Sequence, residues 1–228
     1  MKKSDLSPPI ALLVRGAEEL GISLGVHQQK AFAVYLAALQ RWNKTYNLTA
    51  IHDPLEMVSR HFLDSLAFIH GLRGVEGTVL DLGSGAGFPG LPLALVMPGH
   101  RFYLVDARRK KTFFLHHVVR TLGLENVMVI HLHLQPGNGS TEIKHPVAAL
   151  VSRAVSAPDV VLPVAGEVVV PGGRLVFSAT ASSQKNIIAA LSRYQGRLQL
   201  MESIDVAIPF LDLQRHLLVI GRSENPDG

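Results

Sequence analysis

From Val79 to Gly90 the chain reads Val-Leu-Asp-Leu-Gly-Ser-Gly-Ala-Gly-Phe-Pro-Gly: an apolar run, three glycines at alternate positions, and a proline suited to a first helical turn. Glycines there let the backbone turn sharply and come close to a ligand, and the following helix start offers N–H groups with no intrahelical partner. Such a loop suits a nucleotide-like ligand. Gly85, Gly87 and Gly90 also satisfy G-x-G-x-x-G, so a dinucleotide competes with S-adenosylmethionine. Two acids favour the second. Asp81 precedes Gly83 by two residues, where dinucleotide folds carry an apolar side chain. A carboxylate there can meet the ammonium of S-adenosylmethionine, directly or through water, or can be bonded to loop amides alone. Asp106, 19 residues past Gly87 and ending the next apolar run, is placed to accept from ribose hydroxyls, a position that serves both cofactors.

The elements that must hold these residues follow from periodicity. Apolar spacing predicts helices over 6–20 and 26–42, and a third over 53–72 that Asp53, Pro54 and Glu56 mark with a capping pattern. From Thr78 the pattern becomes short β-branched runs alternating with helical stretches. It predicts strands near 78–82, 101–106, 126–132, 147–152, 173–178, 198–207 and 214–221, with helices near 89–97, 108–122, 158–170 and 182–195. The last two strands have no helix between them, so an antiparallel hairpin at one edge is expected. The predicted fold is α/β: a Rossmann-like, seven-stranded methyltransferase core over 77–222, an N-terminal helical lobe over 1–76 packed on it, and a disordered tail over 223–228.

Composition narrows the chemistry. The 228 residues include no cysteine, which excludes disulfides, thiolate metal sites and cysteine nucleophiles. His131 and His133 share a strand face but lack a third ligand, so no metal is expected. The apolar runs are short, Pro163–Pro171 being interrupted by Glu167, and the first residues lack a signal-peptide core, so a cytoplasmic protein with no membrane partner is expected. A formal charge of +4 agrees with a polyanionic partner without requiring one.

Four segments in order carry a resemblance: Arg41-Trp-Asn-Lys-Thr-Tyr-Asn-Leu-Thr-Ala-Ile51, Arg60-His-Phe-Leu-Asp-Ser65, Leu80 to Leu93, and Ser152-Arg-Ala154. Over about residues 25–221 the chain resembles the bacterial small-subunit (16S) ribosomal RNA guanine-N7 methyltransferases, also called glucose-inhibited division protein B. The resemblance implies methyl transfer from S-adenosylmethionine to N7 of guanine 527, in the RNA's own numbering. It implies 16S ribosomal RNA or the small subunit as partner, and a monomer is expected. By position it places cofactor contacts on Gly83, Phe88, Asp106, Ala107, Arg108, Leu134, Gln135 and Arg153, beside Asp81, Gly85 and Gly87 from the loop itself. Gln135 departs from the family, which carries a small residue followed by Glu there.

Guanine N7 bears no proton, so no general base is needed. The segment after the fourth strand, Val151-Ser-Arg-Ala-Val-Ser156, agrees with this because it lacks the N-P-P-Y type of motif used on exocyclic amines. Arg153 is the candidate organiser of the site, by contact with cofactor or RNA, or else a strand-end salt bridge. Arg41, Lys44, Arg109, Lys110 and Lys111 are candidate RNA contacts. Arg41-Trp-Asn-Lys interleaves cations with an aromatic, and Arg108-Arg-Lys-Lys111 sets four cations at a helix start, against its dipole. Trp42 fits a core position equally well. Arg60 with Asp64, and His61 with Ser65, are spaced to pair along one helix face and anchor the lobe against the sheet, or else to help shape the mouth of the active site. Arg215 and His216 lie on the last strand, where they can reach the substrate side. Another methyl acceptor, an NAD-dependent oxidoreductase, and a cofactor-binding RNA-associated protein without turnover are the alternatives.

Overall fold

A computed structural model describes residues 6–153, 158–194 and 196–224. Seven strands form one sheet in the order β3-β2-β1-β4-β5-β7-β6. They are β1 (Thr78–Leu82), β2 (Arg101–Asp106), β3 (Val127–His131), β4 (Val147–Ser152), β5 (Val169–Ala179), β6 (Leu198–Ala207) and β7 (Gln214–Arg222). The first five run parallel, and β7 is antiparallel to both β5 and β6, so the expected terminal hairpin is present with β6 at the edge. Strand order reverses between β1 and β4, which opens a crevice at their carboxyl ends.

Alternation along the strands splits the apolar residues into two clusters. Val79, Phe102, Leu104, Ala149, Val151 and Val176 face the N-terminal helices together with α5 (Gly90–Val96) and α6 (Arg109–Leu122). Leu80, Val105, Leu150, Leu175 and Phe177 face α8 (Pro158–Val168) and α9 (Ala181–Leu191). α1 (Pro8–Glu19) and α2 (Val26–Tyr46) start and stop where local chemistry directs: Pro8 stands at the first helical position of α1, and Asn47 closes α2 in the left-handed region with φ 47°. α2 thus runs four residues beyond the expected end.

The third helical stretch departs most from expectation. Asp53 caps it, its Oδ1 accepting from the N–H groups of Leu55 and Glu56 at 2.9 Å. The winding then changes from α3 (Pro54–Met57) to a π segment (Val58–Leu63), back through α4 (Asp64–Leu66), and ends as a 3-10 turn (Ala67–Leu72). The wider π turn shifts the faces that an i,i+4 count assumes. Arg60 keeps the i,i+4 pairing toward the N-terminus, with Glu56 at 3.8 Å, and does not pair with Asp64, which is turned inward. A short α7 (Gly139–Glu142) interrupts the stretch between β3 and β4, and β5 begins at Val169 with a register shift against β4, both unforeseen. Among the described residues no helix is long and apolar enough to cross a membrane. Ala154 of the fourth resembling segment, Val155 and Ser156 after it, and residues 225–228 of the expected tail lie outside the described residues.

Candidate functional site

The loop after β1 is held down by backbone. Gly83 N–H and Ser84 N–H both donate to Val105 O, at 2.8 and 3.0 Å, and Ser84 Oγ donates to Asp81 O at 2.9 Å. Asp106 clamps it from β2: Oδ2 accepts Gly85 N–H and Oδ1 accepts Arg108 N–H, each at 2.8 Å. Beside this clamp, at the carboxyl ends of the strands, is a cavity of about 570 Å³. Leu82, Gly83 and Gly85 form one wall, Val105 to Arg108 with Lys111 a second, Leu132 to Leu134 a third, and Ser152, Val160 and Val161 a fourth. Gly85 has φ +59°, and a Cβ there or on Gly83 would project into open space. The loop is therefore bare toward the cavity. Apolar walls, a carboxylate with lone pairs to spare and a bare glycine turn fit a nucleoside-sized ligand such as that of S-adenosylmethionine.

Of the expected cofactor residues, Gly83, Gly85, Asp106, Ala107, Arg108 and Leu134 line this cavity. Asp81, Gly87, Phe88, Gln135 and Arg153 do not, and each has a physical reason. Asp81 is fully buried beneath the loop, where Oδ2 accepts Gly90 N–H at 2.8 Å and a Cβ on Gly90 would lie 2.7 Å from it. This carboxylate braces the start of α5 and does not face the cavity. Among the described residues its Oδ1 has no hydrogen-bond partner, and desolvation pushes the group up to about 7. Gly87 is needed for close packing, since a Cβ there would meet the Tyr35 hydroxyl and Leu91 at 2.6 Å. Gln135 is exposed; its N–H donates to Asn138 Oδ1 at 3.0 Å, and Leu134 alone of that pair turns inward. The cavity also recruits Leu132, His133, Ser152, Val160 and Val161, which sequence reasoning missed. The rule that ligands sit beyond the carboxyl ends of parallel strands would have found Leu132, His133 and Ser152.

Phe88 and Arg153 belong to a second cluster on the side of the helical lobe. The Phe88 ring stacks on His61 at 4.5 Å between centroids and on Tyr35 at 5.7 Å, and the Arg153 guanidinium carbon stands 5.1 Å from its centroid. Tyr35, on α2, donates its hydroxyl to Ala86 O at 2.6 Å, so the lobe holds the glycine loop directly. A polar chain then connects three of the resembling segments. Asn43 Oδ1 accepts Thr49 N–H at 2.8 Å, Thr49 Oγ1 lies 2.7 Å from His61 Nε2, and Arg153 Nη2 lies 3.1 Å from His61 Nδ1. Arg153 Nη1 reaches Asp64 Oδ2 at 3.4 Å, and Arg215 Nε reaches Asp64 Oδ1 at 2.6 Å. A guanidinium only donates, so His61 accepts at Nδ1 and carries its proton at Nε2 toward Thr49. Desolvation first, then the Arg153 charge, lowers His61 to about 3, so it is neutral. The cluster holds two guanidiniums against one carboxylate and keeps a net positive charge. Asp64 and the His61 ring anchor the lobe through Arg153, just after β4, and Asp64 also through Arg215 on β7, while Ser65 Oγ stays within its own helix and donates to His61 O at 2.5 Å.

Arg41, Lys44, Arg109 and Lys110 are exposed. Lys111 is not: it is 7% exposed, and its ammonium donates to Leu48 O while also bordering the cavity over the glycine turn. Lys110 Nζ donates to Tyr46 O at 3.3 Å. These two cations satisfy carbonyls at the end of α2, so the opposition to the dipole of α6 is offset by a favourable match to the C-terminus of its neighbour. Lys111 as a surface RNA contact is thereby corrected. Trp42 is partly buried against Phe114 and His117, at 5.6 and 5.1 Å. His216 Nδ1 pairs with Asp205 Oδ1 at 2.6 Å, and His131 Nε2 lies 3.1 Å from Ala107 O; among the described residues no group of three acids or histidines could hold a metal.

Residues 28–218 match the family described as GidB, rRNA small subunit methyltransferase G. The chain belongs to this family. It is 34% identical over 216 residues to ribosomal RNA small subunit methyltransferase G of Burkholderia thailandensis, covering 94% of this chain and 92% of that protein. To the protein of the same name from Marinobacter nauticus it is 35% identical over 209 residues, covering 92% and 93%. A solved SAM-dependent O-methyltransferase from Thermotoga maritima superposes with a TM-score of 0.52 at 15% identity, covering 70% of this chain and 64% of that one, which shows the shared Rossmann-like fold.

Proposed function

We propose that this member of the GidB family transfers the methyl group of S-adenosylmethionine to N7 of a guanine in 16S ribosomal RNA, guanine 527 in the RNA's own numbering, with Asp106 and the Gly83–Gly85 turn holding the cofactor. The observation that carries the reading is the junction of two sites: a nucleoside-sized cavity over the glycine turn, and beside the same loop a positively charged cluster of Arg153 and Arg215 on the Asp64 carboxylate. The bound cofactor would supply an electrophilic methyl group. Asp106 would hold its ribose hydroxyls with lone pairs left free by the two loop amides, and Leu132, Leu134, Val160 and Val161 would shield it from water. Arg153, fixed by Asp64, His61 and the Phe88 face, orients the RNA at the loop. N7 presents an in-plane lone pair and loses no proton, so alignment supplies the rate, and no side chain here needs to act as a base.

The test is to incubate small subunits, and separately the naked RNA, with methyl-labelled cofactor and to map the label by chemical cleavage at N7-methylguanine. Cleavage at one guanine is expected. Label on a base amine or a ribose would overturn the proton-free mechanism, and calorimetric binding of NAD with none of S-adenosylmethionine would overturn the cofactor.

A further inference from the structure

α2 and α6 pack side by side and hold seven Lys and Arg between them with no Asp or Glu, in a chain that has 18 acids. The outward face of α6 repeats Arg109, Phe113, His116 and Arg120 at helical spacing, all exposed. Phe113 is 53% exposed, although the helix already buries Phe114, Leu115 and Val118 against the core. The Arg109 guanidinium lies 5.1 Å over its ring. Across from it α2 presents Trp42, with Tyr46 at 5.1 Å and His117 of α6 also at 5.1 Å. Between the helices is a cleft of about 460 Å³ bounded by Trp42, Phe113, His116, His117, Val119 and Arg120. Helix packing explains neither an exposed ring roofed by a cation nor a two-helix face without a single acid.

We propose that this groove receives an unpaired RNA strand flanking the target guanine, stacking bases on Phe113 and Trp42 while Arg41, Arg109 and Arg120 take the phosphates. The inference rests on RNA being the substrate. Single strands are gripped by such a pairing of aromatic faces with cations, because every base has a face to stack and every linkage a charge. Position favours RNA over a lipid surface or an acidic protein: Arg108 and Lys111, at the start of α6, line the cofactor cavity, and the face leads away from it. From Arg109 to Arg120 the helix rises about 16 Å at about 1.5 Å per residue. That length suits several bases at about 3.4 Å each.

Trp42 is the only tryptophan in the chain, so its fluorescence reports on the groove independently of turnover. Titration of the full chain with a single-stranded oligoribonucleotide should quench it, with binding weakened by salt. Phe113→Ala should weaken binding about tenfold. The Arg109→Ala/Arg120→Ala pair should reduce the slope of log affinity against log salt by about 1.4. In both variants S-adenosylmethionine affinity and the melting temperature should stay unchanged, since these side chains are exposed and outside the cavity. Fluorescence unmoved at RNA concentrations that saturate methyl transfer would overturn the groove. So would equal quenching by duplex RNA, by phosphatidylserine vesicles or by polyglutamate. Quenching that persists where N7 labelling fails would uphold the groove while the reaction reading falls.

Discussion

His61 and Asp81 are both buried and both leave their ordinary ranges through desolvation, with opposite consequences for stability. The folded His61 titrates at about 3 against 6.5 in a free chain. Between those values the unfolded chain takes a proton that the folded one refuses, so its contribution is lost as pH falls through that window. The folded Asp81 titrates at about 7 against 3.8, so the folded chain holds the extra proton and its contribution is lost as pH rises from about 4 to 7. In urea unfolding from pH 4 to 7, the destabilisation caused by His61→Gln should therefore grow with pH. Asp81→Asn should instead gain stability relative to the parent over the same range. Differences from the parent that stay flat across the window would contradict both assignments. Asp81 also marks a limit of legibility. Its spacing from Gly83 was visible in the sequence, but which way a strand residue points relative to a folded-back loop depends on Gly90 arriving 2.8 Å from its carboxylate.

At the scale of elements, the glycine loop separates into two functions. Gly83 and Gly85 face open space, whereas a side chain on Gly90 would strike Leu104 at 2.3 Å and Asp81. Gly90→Ala should therefore lower the melting temperature sharply. Gly85→Ala should cost only about 1–2 kcal/mol for its left-handed backbone while raising the KM for S-adenosylmethionine, read by thermal unfolding beside cofactor titration. The stretch after β3 has a similar hidden anchor. Glu167 on α8 accepts Gly137 N–H through Oε1 and Gly139 N–H through Oε2, both at 2.7 Å. Glu167→Ala should free this stretch and weaken cofactor binding through Leu134, with little change in kcat at saturation; an unchanged cofactor affinity would remove the anchor from the site. Strands and most helices were legible because burial imposes period 2 or 3.6 on the residues themselves. The π segment was not: no local pattern marks it, and the partners that His61 and Asp64 meet from it lie 92 and 151 residues away.

Across the whole molecule, the helical lobe and the sheet share one apolar cluster and are tied by a single carboxylate between two guanidiniums. The Asp64 side chain is 2% exposed, so removing its charge leaves both arginines short of an acceptor. Asp64→Asn should destabilise by about 2 kcal/mol, in line with hydrogen bonds to charged groups. It should lower kcat for methyl transfer with little change in S-adenosylmethionine affinity, because Arg153 would lose its position while the cavity wall stays intact. A fall in cofactor affinity equal to the fall in kcat would assign Asp64 to the cavity instead.

The sequence by itself determined the seven strands and most of the helices, the glycine turn, the place of Asp106 at a strand end and the family, because each rests on local pattern: periodicity, a turn that only glycine allows, and motifs in fixed order. Only the tertiary structure decided which residues meet. It sent Asp81 beneath the loop and Lys111 to the end of α2, and it joined Asn43, His61, Asp64, Arg153 and Arg215 into one cluster. The reason is physical: a buried polar group must find its partner wherever the packed chain brings one, and spacing along the sequence does not encode that place.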